Sequence, residues 1–203
     1  MESLKNLENL DNKENIKMQG HFKLTARYDD GTSEVLVDQK NLIVDLARYR
    51  VLDLIEGKPN EIFGIRRFVL GTDGVDSNNN PKTFDGTRTQ TFSEESGTEY
   101  WDIKWTIDTD NNNEITIVSE EGNPANNSTI VVTRDDVGFT VNFHFEIPEE
   151  NANGTGVRQY SEAALYLTTE DFSDQALWSM RTFHIRSKDN TIAYDIDWTL
   201  QIA

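Results

Sequence analysis

The sequence predicts a mainly β protein: an antiparallel β-sandwich with one amphipathic helix over about residues 41–56 packed on it, and an N-terminal arm. Three observations predict this. Apolar and polar residues alternate along most of the chain, which puts successive side chains on opposite faces of a sheet. Turn-rich tracts such as "YDDGT", "DTDNNNE", "RDDVG" and "SKDN" separate the alternating segments, as in sheets built from hairpins. Residues 41–56 alone switch to apolar spacings of three and four.

Residues 1–20 are dominated by Asn, Glu, Lys and Asp, with Leu4, Leu7, Leu10, Ile16 and Met18 as their apolar anchors. That composition is too poor to fold alone. The segment therefore reads as an assembly arm, with Leu4, Leu7 and Leu10 laid on another surface, and residues 21–203 as a single sandwich domain. "HFKLTARYD" and "SEVLVD" are the first strands. Ile43, Leu46, Ala47, Val51, Leu54 and Ile55 then form one apolar stripe, and Gly57 followed by Pro59 supplies the stop. Burial of Leu46 and Leu54 should hold this helix on the sandwich as a brace. Arg48, Arg50, Asp53 and Glu56 lie off the stripe and give both charge signs to a face open to a neighbouring copy or partner.

The remaining strands are "IFGIRRFVL", "YWDIKWTID", "EITIVS", "STIVVTR", "FTVNFHFEI", "AALYLTT", "LWSMRTFHI" and "TIAYDIDWTLQIA". Three alternate cleanly. Trp101, Ile103, Trp105 and Ile107 oppose Asp102, Lys104 and Thr106. Phe139, Val141, Phe143, Phe145 and Ile147 oppose Thr140, Asn142, His144 and Glu146. Ile192, Tyr194, Ile196, Trp198, Leu200 and Ile202 oppose Asp195, Asp197, Thr199 and Gln201. Such strands have one buried face and one wet face. Trp101, Trp105 and Trp198 belong to the core on this pattern, while Trp178 has no clean assignment.

At 203 residues the chain is long enough to bury a substantial core. Its 36 acidic and 19 basic residues give a net charge of −17, which repels nucleic-acid phosphates and anionic lipid surfaces. Neither nucleic acid nor membrane is an expected partner. Without cysteine there is no disulfide, thiolate metal site or cysteine nucleophile. The first twenty residues lack a signal-peptide core, and no apolar run approaches the ~20 residues that span a bilayer. A soluble chain made in the cytoplasm is the expectation.

The sequence carries no catalytic motif. No Gly-x-Ser-x-Gly elbow is present, and His21, His144 and His184 each sit within a strand pattern. His144 and Glu146 share one polar strand face and Asp195 and Asp197 another; both pairs read as ordinary surface groups in so acidic a chain. Neither enzyme activity nor a cofactor is expected. Asp108, Asp110 and Asn112 have the opening spacing of a calcium loop. However, Asn113 replaces the glycine of the tight turn and Ser119 stands where the bidentate glutamate belongs, so the tract reads as a hairpin turn. Asp73 and Asp76 in "GTDGVDSNNN" read as an acidic loop.

The order "KNLIVDLARYRVLDLIEG", "IFGIRRFVLGTDG", then a polar loop ending "TFDGTRTQTFSEE", resembles the amino-terminal half of small tail-associated structural proteins of bacteriophages. "YSEAALYL" and "ALWSMRTFHIRSKDNTIAYDIDWTLQI" resemble their carboxy-terminal half, through Glu162 to Leu165, then Arg181, Phe183 and Lys188, then Trp198 to Leu200. Ala163 and Ala164 stand where that group has a glycine. The resemblance implies a non-enzymatic virion component, an oligomer in the tail, neck, collar or baseplate, with copies of itself and other virion proteins as partners. A receptor- or carbohydrate-binding β-sandwich module is the alternative.

Overall fold

The computed structural model describes residues 17–56, 64–108, 110–121 and 127–202. Ten strands form where the alternation lies: β1 (Met18–Tyr28), β2 (Ser33–Ile43), β3 (Gly64–Gly71), β4 (Tyr100–Asp108), β5 (Glu114–Glu120), β6 (Thr129–Asp135), β7 (Thr140–Ile147), β8 (Arg158–Thr168), β9 (Gln175–Lys188) and β10 (Ile192–Ile202). The helices are α1 (Asp45–Ile55) and a short α2 (Phe92–Ser96). The strands make one antiparallel sheet in the order β5-β4-β3-β8-β9-β2-β1-β10-β7-β6, nearly closed into a barrel. Residues 18–20, read as part of the arm, open β1 and pair with Leu200–Ile202. Leu4, Leu7, Leu10 and Ile16 lie outside the described residues.

α1 starts at Asp45, later than its apolar stripe suggested. Leu42 and Ile43 instead extend β2 and pair with Met180 and Ser179 of β9, because their backbone groups find sheet partners there. Ala47 is fully buried where the helix lies against β9. The side chains of Leu46, Leu54 and Ile55, and the stop at Gly57 and Pro59, lie outside the described residues.

The inner faces of the two halves of the sheet meet in an aromatic core. Phe68 of β3 stacks on Phe145 of β7 at 4.5 Å between ring centroids and meets Trp198 of β10 edge-on at 6.1 Å. Trp105 packs edge-on to Phe145 at 5.7 Å, and Phe22 to Trp198 at 4.9 Å, separations at which ring quadrupoles attract. Trp101, Trp105 and Trp198 are buried, as the alternation requires.

A second apolar cluster covers the outside of β3, β8 and β9: Ile43, Val44, Ala47 and Phe92 lie over Val69, Ala164, Tyr166, Leu177 and Met180. β3 and β8 are therefore buried on both faces over most of their length, and polar residues that reach this layer, including Asp102 of the neighbouring β4, need partners. Asp102 finds Arg67, whose Nε donates at 2.8 Å, and Arg67 Nη1 donates to Glu94 at 2.7 Å and Gln175 at 2.9 Å. Burial works against the guanidinium charge, but Glu94 and Asp102 outweigh it and hold Arg67 protonated. Glu162, fully buried, accepts from the backbone N–H of Phe92 at 3.0 Å and Ser93 at 2.8 Å, so a strand carboxylate anchors the start of α2. Thr91 and Glu94 complete a capping box there. Gly74 lets this loop reach β8: a Cβ at that position would lie 2.2 Å from Ser161 O.

The 148–156 loop stoppers one end of the barrel. Buried Lys188 donates to Pro148 O at 2.8 Å, Glu149 O at 3.1 Å, Asn153 Oδ1 at 3.1 Å and Ile192 O at 2.6 Å, and Tyr160 Oη donates to Ala152 O at 2.6 Å. Burial pushes Lys188 down to about 8, against Glu149, Asp189 and Glu150, which raise it.

Two stability predictions follow from these packings. Phe68→Ala should cost about 3–5 kcal/mol, because the cavity would open between both halves of the sheet, read as a lower urea midpoint. Lys188→Met should cost about 2–4 kcal/mol by stranding buried acceptors. Between about pH 8 and about pH 10 the unfolded chain holds the Lys188 proton more firmly than the folded one, so Lys188 contributes more stability as pH rises. The urea-derived gap between wild type and Lys188→Met should accordingly widen over that range; a gap that narrows would refute the assignment.

Candidate functional site

The opposite end of the barrel is open and apolar. Met18 and Gln19 at the start of β1, Ile65 near the start of β3 and Val141 and Phe143 in β7 converge there with Ile107, Leu200, Gln201 and Ile202 at the ends of β4 and β10. Ile43, Val51, Val132, Phe139 and Trp178 complete a groove of about 300 Å³. Among the described residues, Gln19 and Gln201 are its only polar lining residues. β5 and β6 are the free edges of the sheet among the described residues.

Two rim residues depart from the strand pattern. Phe139 and Ile202 are assigned inward by alternation, yet they are 70% and 54% exposed, because no layer of described residues faces them at the mouth. Phe139 also has φ 48°, a left-handed conformation that is costly for a bulky side chain. Its carbonyl accepts the Ile202 N–H at 3.1 Å, which ties the β6–β7 turn to the end of β10. Trp178 is half-buried against the second apolar cluster and forms one wall.

α1 borders the groove through Val51. Arg48 in the helix and Glu56 just past its end are exposed; Arg48 bonds Asp45 at 2.8 Å. Arg50 lies 3.7 Å from both Asp53 and Asp174, so part of the charged face binds the β8–β9 turn. Tyr49 and Leu52, 61% and 53% exposed, add apolar surface beside these charges.

The other sequence candidates lie elsewhere. In the β4–β5 turn, Asp108 Oδ1 accepts from the N–H of Asp110 at 3.0 Å and Asn111 at 3.1 Å, while Asn112 and Asn113 have φ 50° and 58°. This is side-chain-stabilised turn geometry, with the first carboxylate of the calcium-loop spacing engaged by backbone. Asp76 similarly accepts from Asn78 and Asn80, and Asp73 pairs with Lys82 at 2.9 Å.

The groove was not readable as a unit, because its residues come from eight strands, one turn and one helix. Trp178, an aromatic outside any clean alternation, was its one visible sign. No protein-family model, curated protein or solved structure matches this chain. Among the described residues, no helix is long and apolar enough to cross a membrane.

An apolar groove open to solvent should take up a neutral solvatochromic dye. Nile red fluorescence is expected to rise on adding protein that lacks residues 2–16, and to fall several-fold when Phe139→Asp and Ile202→Asp are introduced into it. Both side chains are exposed, so the melting temperature should hardly move. Equal dye binding by the variant would place the apolar site elsewhere.

Proposed function

We propose that this chain is a non-enzymatic structural subunit of a bacteriophage virion, an oligomeric component of the tail, neck, collar or baseplate, with the open barrel mouth as the surface covered by a neighbour. In this reading the two halves of the sheet serve as the layers of a sandwich, and the mouth between them is left for an assembly partner. The observation that carries it is the apolar groove with Phe139 held in a costly conformation at its rim. Exposed apolar surface rimmed by polar groups marks interaction sites. The resemblance to tail-associated proteins supplies the setting.

The occupant we infer is the segment 1–16 of a neighbouring copy, together with its Leu4, Leu7 and Leu10. That segment joins the described chain beside Met18, itself a lining residue, and sixteen extended residues reach roughly 50 Å, enough to pass from one subunit to the next. A hydroxyl-rich glycan needs polar groups that this lining offers only through Gln19 and Gln201, which favours the assembly reading over the carbohydrate-binding one.

Light scattering of the full chain should reveal a defined oligomer, and deletion of residues 2–16 should release monomers with an unchanged circular dichroism spectrum. The Phe139→Asp, Ile202→Asp variant should dissociate likewise. A full chain that is monomeric at all concentrations would overturn the proposal. If the deletion frees the groove for Nile red while mass stays constant, the segment covers its own subunit instead.

A further inference from the structure

On the solvent face of β7 and β10, register joins two side-chain pairs that are far apart in sequence: Asp195 lies opposite Glu146, and Asp197 opposite His144. His144, Glu146 and Asp195 each bring a ligand atom within 4.8 Å of the other two.

Each of these three groups has one atom anchored and another left over. His144 Nδ1 lies 2.8 Å from Asp197 Oδ1; with the ring N–H donated to that carboxylate, Nε2 keeps its lone pair. Nε2 is 3.7 Å from Glu146 Oε1, beyond hydrogen-bond range. The other Glu146 oxygen accepts from Thr129 Oγ1 at 2.9 Å. Asp195 Oδ2 is held by Arg27 Nε at 2.8 Å, whereas Asp195 Oδ1 is buried without a hydrogen-bond partner. A buried carboxylate oxygen normally has a partner, and this carboxylate sits beside the His144 imidazole and the Glu146 carboxylate.

We propose that His144 Nε2, Glu146 Oε1 and Asp195 Oδ1 form a binding site for a divalent cation of the zinc type, with Asp197, Thr129 and Arg27 as the groups that hold the ligands in place. A histidine that donates its second N–H to a carboxylate is the usual support of a metal-bound imidazole. The imidazole selects zinc, cobalt or nickel over calcium and magnesium, which prefer all-oxygen sites. Three carboxylates, Glu146, Asp195 and Asp197, face Arg27 and, opposite Asp197 on β1, Lys23. The excess negative charge favours a dication. Three protein ligands on a solvent-facing sheet leave outward positions for water or for a ligand from another molecule. The site lies apart from the barrel mouth and does not depend on the assembly reading.

The test is calorimetric titration of the full chain with zinc chloride, with cobalt(II) absorption as a second probe. Saturable one-to-one binding is expected, with a melting temperature that rises with zinc concentration. His144→Ala should abolish the binding and the visible cobalt bands. Asp197→Asn, which removes only the support, should weaken binding about 10- to 100-fold. His21→Ala should bind as wild type, since His21 pairs with Asp38 at 2.7 Å on the β1–β2 pair. Absence of saturable binding, undiminished binding in His144→Ala or Asp197→Asn, or an equal loss in His21→Ala would each overturn the proposal.

Discussion

Two residue pairs, Leu42 with Met180 and Ile43 with Ser179, join the two five-stranded halves into one sheet, and the rest of the structure depends on that short seam. Side chains reinforce it: Asn41 Nδ2 donates to Ser179 Oγ at 2.7 Å, and Ser179 Oγ donates to Leu42 O at 3.0 Å. Val44 N–H adds a bond to Trp178 O at 3.1 Å. Gly20 is part of the device, since a Cβ there would lie 1.6 Å from Asn41 Oδ1. With the seam in place, β3 and β4 come to face β7 and β10, and Phe68 reaches Phe145 and Trp198. The same seam leads directly into α1 and sets Ile43 and Trp178 as groove walls.

The barrel's ends are treated in opposite ways. One is closed by a loop pinned to Lys188 and Tyr160 through backbone carbonyls, interactions that are directional and that replace lost water contacts. The other ends in apolar side chains with no covering layer among the described residues. A chain this acidic tolerates an apolar mouth because its net charge of −17 opposes random association. A partner that covers the mouth must then match its shape, which is the requirement an ordered assembly places on its subunits.

The residues behind the resemblance to tail-associated proteins do structural work in this fold. Glu162 anchors α2, Phe183 stacks on Phe22 at 5.7 Å, Lys188 pins the stoppering loop and Trp198 fills the core. Glu162, Phe183, Lys188 and Trp198 hold the fold together and do not line the mouth. The assembly proposal therefore leans on the mouth, and the cation proposal on the opposed pairs of β7 and β10.

The sequence by itself determined the strands, because alternation is a local property: "YWDIKWTID" is β4 residue for residue, and Trp101, Trp105 and Trp198 are buried as their period requires. It determined the helix only approximately, since Ile43 fits an apolar stripe and a strand end equally well until β9 lies beside it. Tertiary structure decided which polar faces stay wet. Asp102 and Asp197 look alike in their alternating strands, yet Asp102 is buried and paired with Arg67 whereas Asp197 remains half-exposed beside His144. Local pattern specifies which side of a strand a residue takes, but what lies over that side is set by residues many positions away. For the same reason the groove and the His144 cluster could be read only once the chain was folded: each is made by contacts between strands, and register and layer coverage are not written in any single segment.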